Sequence, residues 1–310
     1  MNHVPVLLHE VIDSLSLRPG AFIIDGTVNG GGHAREILKR IEPDGTLLCC
    51  DWDPHLLAEA EKTIHSSAAR VLFAHTNYAD LSNVLKARTN ELGARSELDT
   101  RARSELDRRA DGVVLDLGFS SAQLEDSGRG FSFQKDEPLL MTYDDESEPV
   151  RDILTRLPEG ELGTILIRLS NERYARPIAK AIKKREHEKV IQTTHELANV
   201  VRAAVPRGYE RGRIDPATRT FQALRIYANQ ELENLQRFLD TLPEILRPGG
   251  RVAVISFHSL EDRIVKNALR DSAKKGVLEV LTKKPITATD EETRHNPRSR
   301  SAKLRVAQMK

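Results

Sequence analysis

The stretch AFIIDGTVNGGGHAREILKRI, Ala21 to Ile41, decides the fold. It reads as a short apolar strand ending in Asp25, a glycine-rich turn at Gly30-Gly31-Gly32, and a helix with Ile37, Leu38 and Ile41 on one face. Such a turn brings backbone N–H groups close to a ligand, because glycine accepts φ > 0 and a helix start has unpaired donors. Working outward, DGTLLCCDWD adds a second apolar strand ending in Asp51, and a helix is predicted from about Pro54 to Ile64. Further strands are predicted over Arg70–His75, Gly112–Leu117 and Arg251–Phe257, the last entered through Pro248-Gly249-Gly250. Leu304-Arg305-Val306 reads as a final strand. Short apolar strands alternating with helices imply an α/β fold, with a parallel sheet covered on both faces.

Two segments interrupt that rhythm. Residues 86–110 are highly charged and carry an imperfect repeat, ARSELD at 94–99 and again at 102–107. Two copies do not make a solenoid, so an enlarged surface helix or loop is expected there, with no function attached. The second interruption separates the fourth and fifth strands by more than 130 residues, far beyond an ordinary crossover. Within it RDILTRL, ELGTILIRLSNERYARPIAKAIKKR and TTHELANVVRAAV each read as helix, the last capped by Thr193 or Thr194. An inserted helical subdomain is the economical explanation, with one long helix over 217–242 returning to the sheet.

Composition removes other classes. The 310 residues are 39% hydrophobic and 30% charged, too apolar and too patterned for a disordered chain. No apolar run approaches the length of a membrane span, and MNHVPVLLHEVID lacks the pattern of a signal peptide. Cys49 and Cys50 are adjacent, which suits neither a mutual disulfide nor a zinc site, and a buried strand in a reducing cytoplasm is expected. The net charge of +1 argues at first against nucleic acid. Its distribution does not: residues 136–152 hold seven acids against one base, residues 168–189 eight bases against three acids, and residues 294–310 six bases and no acid. Two separate basic blocks suit a phosphate-bearing partner.

The chemistry follows from strand ends. Asp51, at the end of the second strand, is placed to accept hydrogen bonds from a ribose diol, as in dinucleotide dehydrogenases and adenosyl-methionine methyltransferases. The strict G-x-G-x-x-G is absent, since position 29 is Asn, which favours the methyl donor over NAD. Asp116 and Phe119 follow the fourth strand, where ligands bind. Methylating an exocyclic amine needs an acceptor for an amino hydrogen and a ring that holds the base, so Asp116 and Phe119 are the catalytic candidates, with a plain cofactor-contacting acid and a core Phe as the alternative. SFHSLEDR, Ser256 to Arg263, offers His258 as part of an active-site wall; no metal is expected, because ligands so close in sequence seldom all point inward. Arg219, Arg225, Arg298 and Arg300 are candidate phosphate contacts. Phe221 is a candidate for base stacking, or for the core together with Leu224 and Ile226.

At this point the residues resemble a known family. HVPVLLHEV at 3–11, DGT…GGH at 25–33, DLGFSSAQL at 116–124, RGFSF at 129–133, PATRTFQALRI at 216–226, PGGRVAVISFHSLEDRIVK at 248–266 and NPRSRSAKLRVA at 296–307 occur in order over nearly the full chain. Together they resemble the bacterial family of small-subunit (16S) rRNA methyltransferases, RsmH or MraW, which modify the N4 amino group of a cytidine. The resemblance implies a Rossmann-like class I methyltransferase fold dependent on S-adenosylmethionine, with residues 1–125 and 213–310 interrupted by a helical substrate-recognition domain at 126–212. It implies donor contacts at Gly31, Gly32, His33, Asp51, Tyr78, Asp116 and Gln123. The implied partner is 16S rRNA or the small ribosomal subunit, with no membrane and with oligomeric state open, a homodimer included.

The chain departs from the family pattern at Asn29, at Leu140 and Thr142, at Ser170-Asn171 and at Asp215, where the family usually has Gly, Asp and Arg, Gly-Glu, and His. These departures motivate a second reading, a donor-binding RNA-binding protein with lost or altered activity. A third is an amino-methyltransferase on another nucleic acid; the absence of an Asp/Asn-Pro-Pro-Tyr/Phe run at 116–119 weakens its DNA version.

Overall fold

The computed structural model describes residues 5–94, 109–119, 123, 128–209 and 214–310. Apart from Ala94, the ARSELD repeat lies outside the described residues. The chain forms two compact units, Met1–Gly118 with Leu232–Lys310, and Phe119–Glu231.

The first unit carries a seven-stranded sheet. Its strands are β1 (Phe22–Asp25), β2 (Thr46–Asp51), β3 (Arg70–His75), β4 (Ala110–Asp116), β5 (Leu246–Ser256), β6 (Leu278–Val280) and β7 (Lys303–Met309), in the order β3-β2-β1-β4-β5-β7-β6. The first five run parallel, and β7 is antiparallel to both β5 and β6. Strand order reverses at β1, between β2 and β4, which makes this the expected Rossmann-like arrangement with a crevice at the carboxyl edge.

The helices are α1 (Leu8–Leu15), α2 (Gly32–Ile41), α3 (Pro54–Thr63), α4 (Leu81–Ala94), α5 (Val150–Arg156), α6 (Glu159–Ser170), α7 (Ala175–Glu188), α8 (Thr194–Ala204), α9 (Ala217–Ala228), α10 (Glu231–Ile245), α11 (Ser259–Lys274) and α12 (Asp290–His295). Helices cover both faces of the sheet, so β2 is buried at every position and reads as an unbroken apolar run. Alternation sends Leu47 and Cys49 into one core with Val11, Ile37 and Ile41 of α1 and α2. Leu48 and Cys50 go into the other, with Phe238, Leu242 and Leu269 of α10 and α11. Each such large side chain contributes roughly 1.5–3 kcal/mol by leaving water.

Several boundaries differ from the sequence reading in this unit, and β6 is a strand it lacks: β4 runs Ala110–Asp116 instead of Gly112–Leu117, and β7 runs Lys303–Met309 instead of 304–306. β5 starts at Leu246, not Arg251, and a register shift against β4 between Ala110 and Gly112 absorbs the Pro248-Gly249 turn, where Gly249 has φ 80°. β6 has three residues, too few to show a period.

The second unit is helical and has its own core, built from Leu154, Leu166, Ile178, Ile182, Leu197, Val201 and Leu224 among others. The long helix expected across ELGTILIRLSNERYARPIAKAIKKR is two helices, α6 and α7. Asn171 sits between them at φ 53°, a left-handed conformation that Asn tolerates and that ends a helix. Thr193 caps α8, its hydroxyl accepting from Glu196 N. The single helix expected over 217–242 is also two, α9 and α10, with Gln230 at φ 49° in the break. Among the described residues, no helix is long and apolar enough to cross a membrane.

Candidate active site

Three carboxylates close the carboxyl edge of the sheet: Asp25 ends β1, Asp51 ends β2 and Asp116 ends β4. All three are buried. The turn after β1 weaves them together. Asn29 N donates to Asp51 Oδ2 at 2.9 Å, while the Asn29 side-chain amide donates to the Asp116 carbonyl at 3.3 Å. Asp116 N donates to Thr27 Oγ1 at 2.7 Å, and Thr27 N donates to Asp25 Oδ1 at 3.3 Å. The other Asp51 oxygen accepts from Asp53 N at 2.9 Å. With a third backbone bond from Trp52, the carboxylate still keeps acceptor capacity for a ligand hydroxyl.

Gly31 and Gly32 turn the chain into α2. Gly31 has φ 74°, and a Cβ there would lie 2.8 Å from Ile64 Cδ1. A Cβ on Gly32 would lie 2.9 Å from Pro5. No side chain caps α2, so its first-turn amides have neither an intrahelical partner nor a cap, the arrangement that receives a carboxylate or phosphate. His33, buried in that turn, places Nε2 3.0 Å from the Val6 carbonyl and Nδ1 3.7 Å from Asp116 Oδ2. A carbonyl only accepts, so Nε2 carries a hydrogen, and Nδ1 faces the Asp116 carboxylate. Tyr78 lies in a short turn after β3, half-buried and edge-on to Phe238 at 5.9 Å.

Burial pushes the Asp25 carboxyl up to about 8, with Asp116 and Asp51 adding to the rise against the Thr27 hydrogen bond. Burial likewise pushes Asp51 up to about 7, against the hydrogen bonds from Asp53 and Asn29. No cation figures among these causes. A positively charged ligand would relieve the crowding, and uncapped amides beside it suit the carboxylate of the same molecule. Backbone cradle, diol acceptor and anionic wall therefore fit a methyl donor with a sulfonium, an amino-acid end and a ribose.

The family model of the MraW methylase family matches residues 1–310. This chain belongs to the MraW methylase family. Ribosomal RNA small subunit methyltransferase H of Syntrophobacter fumaroxidans is 39% identical over 324 residues, covering 99% of this chain and 96% of that one. The protein of the same name from Syntrophotalea carbinolica is 43% identical over 321 residues, covering 98% and 97%. That of Heliobacterium mobile is 41% identical over 323 residues, covering 99% and 98%.

Most of the departures from the MraW pattern have physical accounts. Asn29 has φ 48°, so it keeps the left-handed turn that Gly would adopt, and its side chain adds the bond to Asp116. Thr142 is buried, and its carbonyl accepts from the buried Arg129 guanidinium at 3.2 Å. Between Leu140 and Thr142, Met141 has φ 56°, and its carbonyl accepts from Asn229 at 2.7 Å. Asn171, of the Ser170-Asn171 pair, is the helix stop described above. Asp215 pairs with Arg202 at 2.8 Å and accepts from Ala217 N at the start of α9. Nothing in the structure explains Leu140 itself.

The remaining candidates of this MraW-family chain fall in several places. Phe119 is half-buried in an aromatic cluster with Phe131 and Tyr143, at centroid distances of 5.5 and 6.4 Å, and the Arg225 guanidinium sits 4.3 Å over its ring. Arg225 also forms a two-pronged bond to Glu231 at 2.7 and 2.8 Å. Phe221 lies in the core, edge-on to Phe133 at 4.9 Å. Arg219 donates to Tyr209 Oη at 3.0 Å, and that hydroxyl donates to the buried Glu172 at 2.7 Å. His258 caps α11 in a reciprocal box with Glu261. Arg298 is half-buried and Arg300 exposed, both in the turn before β7. Gln123 is buried in the second unit. Sequence reasoning missed Thr27, Val6 and the Asn29 side chain; the only signal for Val6 was the N-terminal motif itself.

Proposed function

We propose that this chain transfers a methyl group from S-adenosylmethionine to the N4 amino group of one cytidine in the 16S rRNA of the small ribosomal subunit. The observation that carries the reading is the convergence of Asp25, Asp51 and Asp116 beside the uncapped amides of Gly32 and His33, in a chain of the MraW methylase family. When bound, the donor supplies an electrophilic methyl on a sulfonium.

The chain's own residues do the rest. Gly32 and His33 hold the amino-acid end through backbone amides, and Gly31, whose own N–H is bonded to the Val28 carbonyl, makes the turn that presents them. Asp51 accepts from the ribose diol, and Tyr78 lies against adenine. Asp116 completes the donor contacts of this unit. Asp116 Oδ1 already accepts from Gly118 N at 3.1 Å, which leaves Oδ2 to accept an amino hydrogen of the cytidine and free its lone pair. Phe119 is the second catalytic candidate, as a ring that steadies the base. Residues 126–212 recognise the RNA; Arg219, Arg225, His258, Arg298 and Arg300, outside that segment, are further substrate-side candidates, whereas Phe221 serves the core.

The test is transfer of a labelled methyl group to small subunits, or RNA from them, that lack the modification. Mass spectrometry should then find N4-methylcytidine at a single site. Donor binding with no transfer to either substrate overturns the reading in favour of a donor-binding protein without this activity.

A further inference from the structure

The bases of residues 168–189 divide by what they touch. Lys183 donates to the Leu154 and Thr155 carbonyls at 2.7 and 3.0 Å. Arg185 and Lys189 both pair with Glu196, at 3.5 and 3.4 Å. Those three are spent inside the second unit. Arg173, Arg176, Lys180 and Lys184 are exposed. Among the described residues Arg173, Arg176 and Lys180 have no acid partner, and Lys184 meets Glu188 only at 3.9 Å, beyond hydrogen-bond reach.

The exposed bases share a face. Arg176, Lys180 and Lys184 recur every fourth residue along α7, so they fall within an arc of about 80° and rise about 6 Å from one to the next. The exposed His187 falls in the same arc, and Arg173 precedes the helix. The buried residues of α7, Ala175, Ile178, Ala179 and Ile182, line the opposite side. Nearby acids leave most of the stripe open: Glu172 is buried, Glu186 is held by Thr155 Oγ1 and Ile191 N, both at 2.7 Å, and the exposed Glu188 pairs at 3.9 Å only with Lys184 at the end of the row. The sequence of α7 has no Phe, Tyr or Trp, so nothing on it stacks a base, and its exposed face has no apolar residue large enough to enter a lipid surface.

We propose that this face of α7 is a track for the phosphate backbone of a single RNA strand, with Arg176, Lys180 and Lys184 each meeting a phosphate and Arg173 extending the row. The inference rests on the RNA-methylating function proposed above and names where the strand is gripped. The rise between successive stripe residues is close to the spacing of successive phosphates along a strand. Arg grips phosphate oxygens with two N–H groups and Lys acts as a point charge, so the contact positions the strand without reading its sequence.

The test measures binding of the full chain to a fluorescein-labelled oligocytidine of about 16 nucleotides, by anisotropy across a salt series. Removing three phosphate contacts by R176A, K180A and K184A together should lower the slope of log K against log salt by about 2. Alanine favours helix, so far-ultraviolet circular dichroism should be unchanged. The exposed pair Lys39→Ala and Lys62→Ala, in the first unit, should leave the slope as it was. An unchanged slope in the triple variant overturns the track, as does an equal loss per charge in the control pair. Methyl transfer by the unaltered protein is scored separately: transfer with an unchanged slope sinks only the track, and a lowered slope without transfer sinks only the reaction.

Discussion

His33 Nδ1 faces Asp116 Oδ2 across 3.7 Å, while its other ring nitrogen is fixed by the Val6 carbonyl. That places the Asp116 carboxylate, buried beside an imidazole nitrogen, where a proton of the methylated amine would be taken up. Asp116→Asn keeps the size and the bond from Gly118 N but cannot take up that proton. It should lower kcat for methyl transfer by about a hundredfold while donor affinity shifts less than tenfold. Single-turnover kinetics with calorimetric donor titration check this; an unchanged kcat would reduce Asp116 to a binding residue.

Asp51 is held by the backbone amides of Asn29, Asp53 and Trp52, which fix its position. Asp51→Ala removes hydrogen bonds to the ribose in which the acceptor is charged, worth about 1.5–3 kcal/mol. Donor affinity should fall about tenfold to a hundredfold, and calorimetry that found it unaltered would take the diol away from Asp51.

The raised carboxyls make stability depend on pH in a definite direction. Asp25 titrates at about 8 when folded against its usual 3.8, and Asp51 at about 7 against 3.8. In that interval the folded chain binds more protons than the unfolded one, so stability falls as pH rises. Without donor, the melting temperature should decline from about pH 4 to about pH 8, and Asp25→Asn should flatten the decline. Donor binding should tighten over the upper part of the same range, because the ionised carboxylates attract its cationic groups. A melting curve that improved steadily up to pH 8 would contradict the assignment.

Asn29 separates conformational need from side-chain bonding. Asn29→Gly loses the bond to the Asp116 carbonyl but relaxes a φ of 48°, so it should cost less than about 1 kcal/mol. Asn29→Ala loses the same bond and keeps the left-handed strain, so it should cost about 1–2 kcal/mol more. Urea denaturation of both variants measures the difference, and equal stabilities would mean the turn relaxes freely.

Much of this was legible before any coordinates. The strand ends at Asp25, Asp51 and Asp116 follow from apolar runs that stop at an acid, and Gly31 from the turn such a run must make. What escaped was conformation carried by single polar residues. Asn171 and Gln230 break helices through a left-handed φ that leaves the apolar period intact on either side, so the pattern reads straight through them. β6 is too short to have a period. The bond from His33 to Val6 joins residues 27 apart in sequence and depends on how the N-terminal segment packs, which no local pattern encodes. The free and spent bases around α7 look alike in sequence, because what separates Lys180 from Lys183 is a carbonyl on another helix.

Cys49 and Cys50 are neighbours on one strand, yet they belong to different interiors, since consecutive strand residues point to opposite faces. Neither forms a disulfide, and both are buried. Alkylation of each, followed by mass spectrometry in the two single-serine variants, would clock the opening of either helical layer separately. One covalent bond thus links two independent reporters of how the sheet sheds its coverings.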